Sequence, residues 1–77
     1  MATTGPAPRE ATAALYADQR KQQLLETLRR DGRIDAARIA SELGVTGETI
    51  RKDLILLERQ GLLRRVHGGA VRVDYLS

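Results

Sequence analysis

A two-residue break between two short segments that favour helix constrains this chain more than any other feature. The break is Gly44-Val45, in the stretch ASELGVTGET. Upstream of it, Asp35 is suited to cap a helix over residues 36–43. Downstream, Thr46 is suited to cap a helix that runs to about Gln60. Because so short a connection packs two helices at a steep angle, the sequence predicts a helix-turn-helix.

A longer helix is predicted before this unit. Residues 8–30 are rich in Ala, Leu, Gln, Glu and Arg, which favour helix, and Gly32 is suited to end the helix as a left-handed cap. The helix begins either near Pro8 or at Asp18, which is itself a suitable cap. Ile34 then lies in a brief extended segment.

A β-hairpin is predicted after the unit. Gly61 stops the second helix, and the stretch LLRRVHGGAVRV mixes β-branched residues with two glycines. We expect Gly68 and Gly69 to take positive φ at or near the turn. The predicted fold class is therefore mainly α with a small β-hairpin, a winged helix-turn-helix of three helices plus a wing. Residues 1–8 are interpreted as a disordered arm, 9–73 as the domain and 74–77 as a tail.

Apolar residues at helical or strand spacing define the expected core. Its members are Leu24, Leu25, Leu28, Ile34, Ile39, Leu43, Val45, Ile50, Leu54, Leu57, either Leu62 or Leu63, Val66 and Val71.

The composition argues against several classes of function. There is no cysteine and one histidine, so neither a disulfide framework nor a metal cluster is expected, and no cofactor is indicated. No nucleophile–base–acid set and no glycine-rich phosphate loop occur, which favours a binding protein over an enzyme. No apolar run is long enough to span a membrane and no signal pattern opens the chain, so we expect a cytoplasmic protein.

The charge suits an anionic partner. The net charge is +3 and the pI is about 10.0, and residues 64–72 contain three arginines and no acid. Only two tyrosines and no other aromatic residues are present, which argues against the stacking platforms that bind single strands. Duplex DNA is the better partner on these grounds.

The helix after the break has two contrasting sides. With Ile50 at the centre of the buried side, Leu54 and Leu57 also point inward, whereas Arg51 and Lys52 point outward near the N-terminal end. Long donors at that end are what a recognition helix needs in a major groove. The alternative is a solvated helix face.

The motifs "TGETIRKDL" and "GLLRRVHGGAV", with Arg20, Leu24 and Leu28 upstream, closely resemble the N-terminal DNA-binding domain of DeoR-family bacterial transcriptional repressors. The resemblance covers about residues 18–73. It implies a winged helix-turn-helix that binds the operators of sugar-utilisation operons. It also implies a larger C-terminal domain, absent from this chain, that senses a phosphorylated sugar, and an oligomeric full-length protein. Gly47 departs from the family pattern, where a better helix former is usual.

The candidate DNA-binding residues are Thr46, Glu48, Thr49, Arg51, Lys52, Arg64, Arg65, His67, Gly68, Gly69 and Arg72. Several have a second interpretation: Thr46 as a cap alone, Glu48 as an acid that stabilises the helix dipole, and Arg72 as a solvated cation. Arg64 and Arg65 alternate sides of a strand, so only one is expected to face DNA.

Two further points stay open at the level of sequence. Asp53 lies near the core boundary and is expected to pair with Arg20 or with a hairpin arginine, while Arg20 is equally suited to clamp a phosphate. Ile55 and Leu56 stand where the family usually has polar residues. They favour the rival function, a winged-helix module that binds protein.

Overall fold

The computed structural model describes residues 8–76, with side chains described for residues 16–74. Its elements in chain order are α1 (Pro8–Asp31), β1 (Arg33–Asp35), α2 (Ala36–Leu43), α3 (Gly47–Arg59), β2 (Arg64–Val66), β3 (Gly69–Val71) and a 3-10 helix (Val73–Leu76). The predicted winged helix-turn-helix is confirmed.

Local capping signals set most helix ends. The Asp35 carboxylate accepts a hydrogen bond from the Arg38 backbone N–H at 3.2 Å and so caps α2 as predicted. Of the two predicted starts for α1, the structure has Pro8, so Pro8 belongs to a helix and not to the arm assigned to residues 1–8. Residues 1–7 of that arm lie outside the described residues.

The break between α2 and α3 is closed by backbone hydrogen bonds. Gly44 has φ 69°, in the left-handed region, and its N–H donates to the carbonyls of Ala40 and Ser41. The N–H of Val45 donates to the same Ala40 carbonyl at 3.0 Å. These bonds satisfy carbonyls at the end of α2 and fix the direction in which α3 leaves.

The wing is part of a three-stranded antiparallel sheet in the order β1-β3-β2. Ile34 of the brief extended segment lies opposite Ala70, and Arg65 lies opposite Ala70 from the other side. The brief extended segment predicted at Ile34 is therefore an edge strand of this sheet, and it pairs the wing with the rest of the domain.

The expectation of a positive φ at both wing glycines is wrong for Gly69. Gly68 has φ 80° and lies in the turn with His67, whereas Gly69 is the first residue of β3 and has no positive φ. Gly69 is buried, and a side chain there would overlap the backbone carbonyl of Ile34. Glycine is required at this position for a close backbone approach and not for a turn.

The core lies between the three helices and the sheet. Its buried apolar side chains are those of Leu24, Leu28, Ile34, Ile39, Ala40, Ile50, Leu54, Leu57, Leu63, Ala70 and Val71. Of the open pair, Leu63 is buried and Leu62 is exposed. The assignment of Val66 to the core is wrong, because its side chain is 42% exposed on the sheet face away from Arg65. Leu25, Leu43 and Val45 are only partly buried.

Candidate nucleic-acid interface

The core holds one side of α3 and leaves the opposite side in solvent. Ile50, Leu54 and Leu57 are each at most 2% exposed, which confirms the predicted inward stripe. Arg51 and Lys52 are exposed, as predicted. Lys52 makes no hydrogen bond or ion pair with any residue that the structure describes. Its ammonium group is therefore available to an anion.

Two threonine hydroxyls mark the start of α3. The Thr46 hydroxyl accepts a hydrogen bond from the Thr49 backbone N–H at 3.1 Å, so the predicted cap is confirmed. The two hydroxyl oxygens lie 3.0 Å apart and share one hydrogen bond. Because each hydroxyl carries one hydrogen, the pair still has a donor for an external acceptor.

Glu48 and Arg51 form an exposed ion pair one turn apart on α3. Arg51 Nε donates to Glu48 Oε1 at 2.9 Å, and Nη2 donates to Oε2. The hydrogen bonds from Arg51 are the main cause that lowers the pKa of Glu48. The sequence interpretation missed this pair, although a Glu and an Arg three positions apart on a helix are a recognised signal for it.

Asp53 is the buried charge of the described residues, with 4% exposure. Arg20 of α1 donates to both of its carboxylate oxygens, from Nε and, at 3.1 Å, from Nη2. The structure thus selects Arg20 over a hairpin arginine as the partner. The ion pair expected as one role of Arg20 is thus present, and the hydrogen bond to Asp53 is the main cause that raises the pKa of Arg20.

A second acid on α3 forms hydrogen bonds with the wing. Glu58 accepts from the Arg65 backbone N–H at 2.8 Å and from Arg65 Nε at 3.1 Å. The backbone hydrogen bond is the main cause that lowers the pKa of Glu58. The two residues are seven positions apart across the turn at Gly61, so no local sequence rule would have found the contact.

The remaining wing residues differ in their availability. Arg64 points to the sheet face opposite to that of Arg65, is exposed, and makes no hydrogen bond or ion pair within the described part of the chain. His67 and Gly68 form the exposed turn. Arg72 Nε lies 3.3 Å from an Asp74 carboxylate oxygen, so its charge is partly compensated. Gly69, counted among the candidate contacts, is buried and lies off this surface.

The amino-acid sequence matches one known family. A family model for the DeoR-like helix-turn-helix domain matches residues 20–75. The chain belongs to the DeoR-like helix-turn-helix family. It is a DNA-binding domain of the kind found in transcription regulators.

Several curated relatives share this DeoR-like domain. The chain is 44% identical over 52 residues to the lactose phosphotransferase system repressor of Lactococcus lactis subsp. lactis, covering 68% of this chain and 20% of that protein. It is 38% identical over 52 residues to the L-fucose operon activator of Haemophilus influenzae, covering 68% and 21%. The chain thus spans about a fifth of the length of these relatives. No solved structure matches it significantly.

The aliphatic pair on α3 of the DeoR-like domain does not form one apolar patch. Leu56 is 41% exposed, whereas Ile55 is half-buried. A single exposed leucine is ordinary on a protein surface, so nothing here favours the rival protein-binding function.

Two kinds of feature are absent from the part of the chain that the structure describes. None of its helices has the length and apolar character needed to cross a membrane. Its His, Asp and Glu side chains form no group of three that could hold a metal ion.

Proposed function

We propose that the domain binds operator DNA by placing the N-terminal half of α3 in the major groove and the wing turn against the flanking backbone. One observation carries this proposal. The end of α3 that bears Thr46, Arg51 and Lys52 is exposed, while the opposite side of the same helix is locked into the core. The amide groups at that helix end favour phosphate, and its long cations reach phosphates and base edges.

The available hydrogen-bond donors suggest different roles for different residues. Lys52 and Arg64 are assigned to phosphates because neither has a hydrogen-bonded partner within the described residues. The Thr46–Thr49 hydroxyl pair is assigned to a phosphate through its remaining donor. Arg51 is assigned to a base edge. Arg65 is assigned to the wing structure, since Glu58 already holds its backbone and its Nε.

For the longer protein that such a domain serves, we propose a cytoplasmic repressor of sugar-utilisation genes and not an enzyme. Its proposed effector is a phosphorylated sugar that binds a separate domain, and its proposed state is a homo-oligomer. Support comes from the names of relatives, which refer to lactose and L-fucose systems. One of these relatives is a repressor and the other an activator. The direction of regulation is therefore tested with a reporter gene placed behind an operator that the domain binds.

An amide NMR titration of the domain with a short DNA duplex tests the binding mode. We expect shift changes concentrated in residues 46–52 and 64–68, fading as salt rises. Lys52→Ala should weaken binding more than Arg29→Ala on α1 does, because Arg29 already pairs with Glu26 and is not among the residues of the proposed surface. Binding that leaves residues 46–52 unshifted would overturn the proposed docking.

A further inference from the structure

Glu48 is an acid on a surface that otherwise suits an anion. It lies in the first turn of α3, its side chain is 55% exposed, and it is next to the cationic pair Arg51 and Lys52. A carboxylate here repels phosphates, so it weakens binding to any DNA. Its favourable interaction with the helix dipole needs only an acid near the N-terminus. Neither effect requires the two hydrogen bonds that Glu48 accepts from Arg51.

The Glu48 carboxylate binds one particular edge of the Arg51 guanidinium group. The carboxylate takes Nε and one N–H of Nη2, which together form the side edge. The end edge, made by Nη1 and the second N–H of Nη2, keeps its donors. Guanine offers N7 and O6 as two neighbouring acceptors in the major groove, and this spacing matches the end edge of an arginine. An arginine whose side edge is bound to a carboxylate can therefore still donate hydrogen bonds to guanine from its end edge.

We propose that Glu48 is a positioning residue that holds Arg51 for the recognition of one guanine in the major groove. The proposal rests on the proposed function, since it needs α3 to lie in that groove. Glu48 fixes a flexible side chain before DNA arrives, and so it reduces the conformational entropy that Arg51 loses on binding. Glu48 also neutralises the charge of Arg51. The non-specific attraction of DNA phosphates is therefore due to other cations such as Lys52.

Positioning and simple electrostatics predict different results for Glu48→Gln. Both predict tighter binding to random DNA, because the substitution removes a negative charge. Only positioning predicts that the preference for guanine over other bases falls as well. Glu26→Gln is a matched control, since Glu26 forms an exposed pair with Arg29 at the same three-residue spacing on α1. It makes the same charge change outside the proposed interface.

The experiment first selects a preferred duplex for the wild-type domain from a random pool. Each base pair is then substituted, and affinities are measured for wild type, Glu48→Gln, Arg51→Ala, the double variant and Glu26→Gln. We expect Arg51→Ala to abolish a preference of about tenfold or more for one guanine. We expect Glu48→Gln to reduce the same preference severalfold, and to have no effect on it once Arg51 is alanine.

The outcomes separate this inference from the proposed function. Wild-type binding without any base preference would overturn both. A wild-type preference that Glu48→Gln leaves intact, or reduces equally with and without Arg51, would overturn the positioning role alone. So would an Arg51→Ala variant that loses preference for a base other than guanine. Thermal melts of the variants check that each is folded, as expected for substitutions at exposed side chains.

Discussion

At the scale of single residues, the Arg20–Asp53 pair has the largest consequence for stability. The two side chains are only 18% and 6% exposed, so removing one partner leaves a charge with little access to water. We predict that Arg20→Met lowers the free energy of unfolding by about 3 kcal/mol, near the low end for buried pairs because Arg20 keeps some solvent contact. Urea denaturation measures this loss.

The control for this prediction is the exposed pair of Arg30 and Asp31. Asp31→Asn should change stability much less than Arg20→Met does, as is usual for surface pairs. Adding Asp53→Leu to Arg20→Met should restore much of the loss, because apolar side chains can replace a buried pair. Equal losses for Arg20→Met and Asp31→Asn would contradict the assigned importance of burial.

The two wing glycines give a second prediction at this scale. Gly69→Ala places a methyl group on the Ile34 carbonyl, which must move together with the β1–β3 pairing. We expect a loss of about 3 kcal/mol, the upper part of the usual range for overpacking. Gly68→Ala meets no atom within 4 Å and carries only the strain of φ 80°, about 1 kcal/mol. Thermal unfolding should therefore rank Gly69→Ala as the less stable variant.

At the scale of elements, Glu58 links the wing to α3 through two hydrogen bonds with Arg65. Its pKa is lowered in the fold, so its contribution is fully present above the ordinary glutamate value of about 4.3 and is lost as the pH falls through the folded pKa. We predict that the amide signal of Arg65 stays constant at neutral pH and changes only below about pH 4.3, as the wing loosens.

The matched variant for this test is Glu58→Gln, which cannot ionise at that position. Its Arg65 amide should lack the acid transition, and its amide exchange in β2 should be faster at neutral pH than in the wild type. An Arg65 signal with the same acid transition in both proteins would show that another group is titrating.

At the scale of the whole molecule, the number of contacts with DNA phosphates should determine how steeply the affinity for DNA falls with salt concentration. Each phosphate contact contributes about 0.9 to the slope of log affinity against log salt concentration. We predict that Lys52→Ala and Arg64→Ala each reduce this slope by about one, measured by fluorescence anisotropy on a random duplex. Arg65→Ala should leave it nearly unchanged, since Glu58 directs Arg65 to the wing itself. A larger effect from Arg65 than from Arg64 would reverse these roles.

The sequence by itself determined the two helices of the helix-turn-helix unit, their N-terminal caps and the inward stripe of α3. These depend on interactions within a few residues: Asp35 and Thr46 each cap a helix through an N–H three positions away, and Gly44 ends α2. The family follows from the same local motifs, because residues 20–75 match as one continuous stretch.

Only the tertiary structure decided how these parts meet. It placed Arg20 on Asp53, Arg65 on Glu58 and Gly69 against Ile34, contacts between residues far apart in the chain or in different elements. A hydrophobic pattern says that Val66 and Leu62 are apolar, but their exposure depends on which sheet face and which turn the helices cover. The contrast between Arg64, which has no partner among the described residues, and Arg65, which Glu58 holds, arises for the same reason. Ion pairing between elements, as in Arg20–Asp53 and Arg65–Glu58, depends on distance in space, which this sequence specifies only through the folded packing of α1, α3 and the wing.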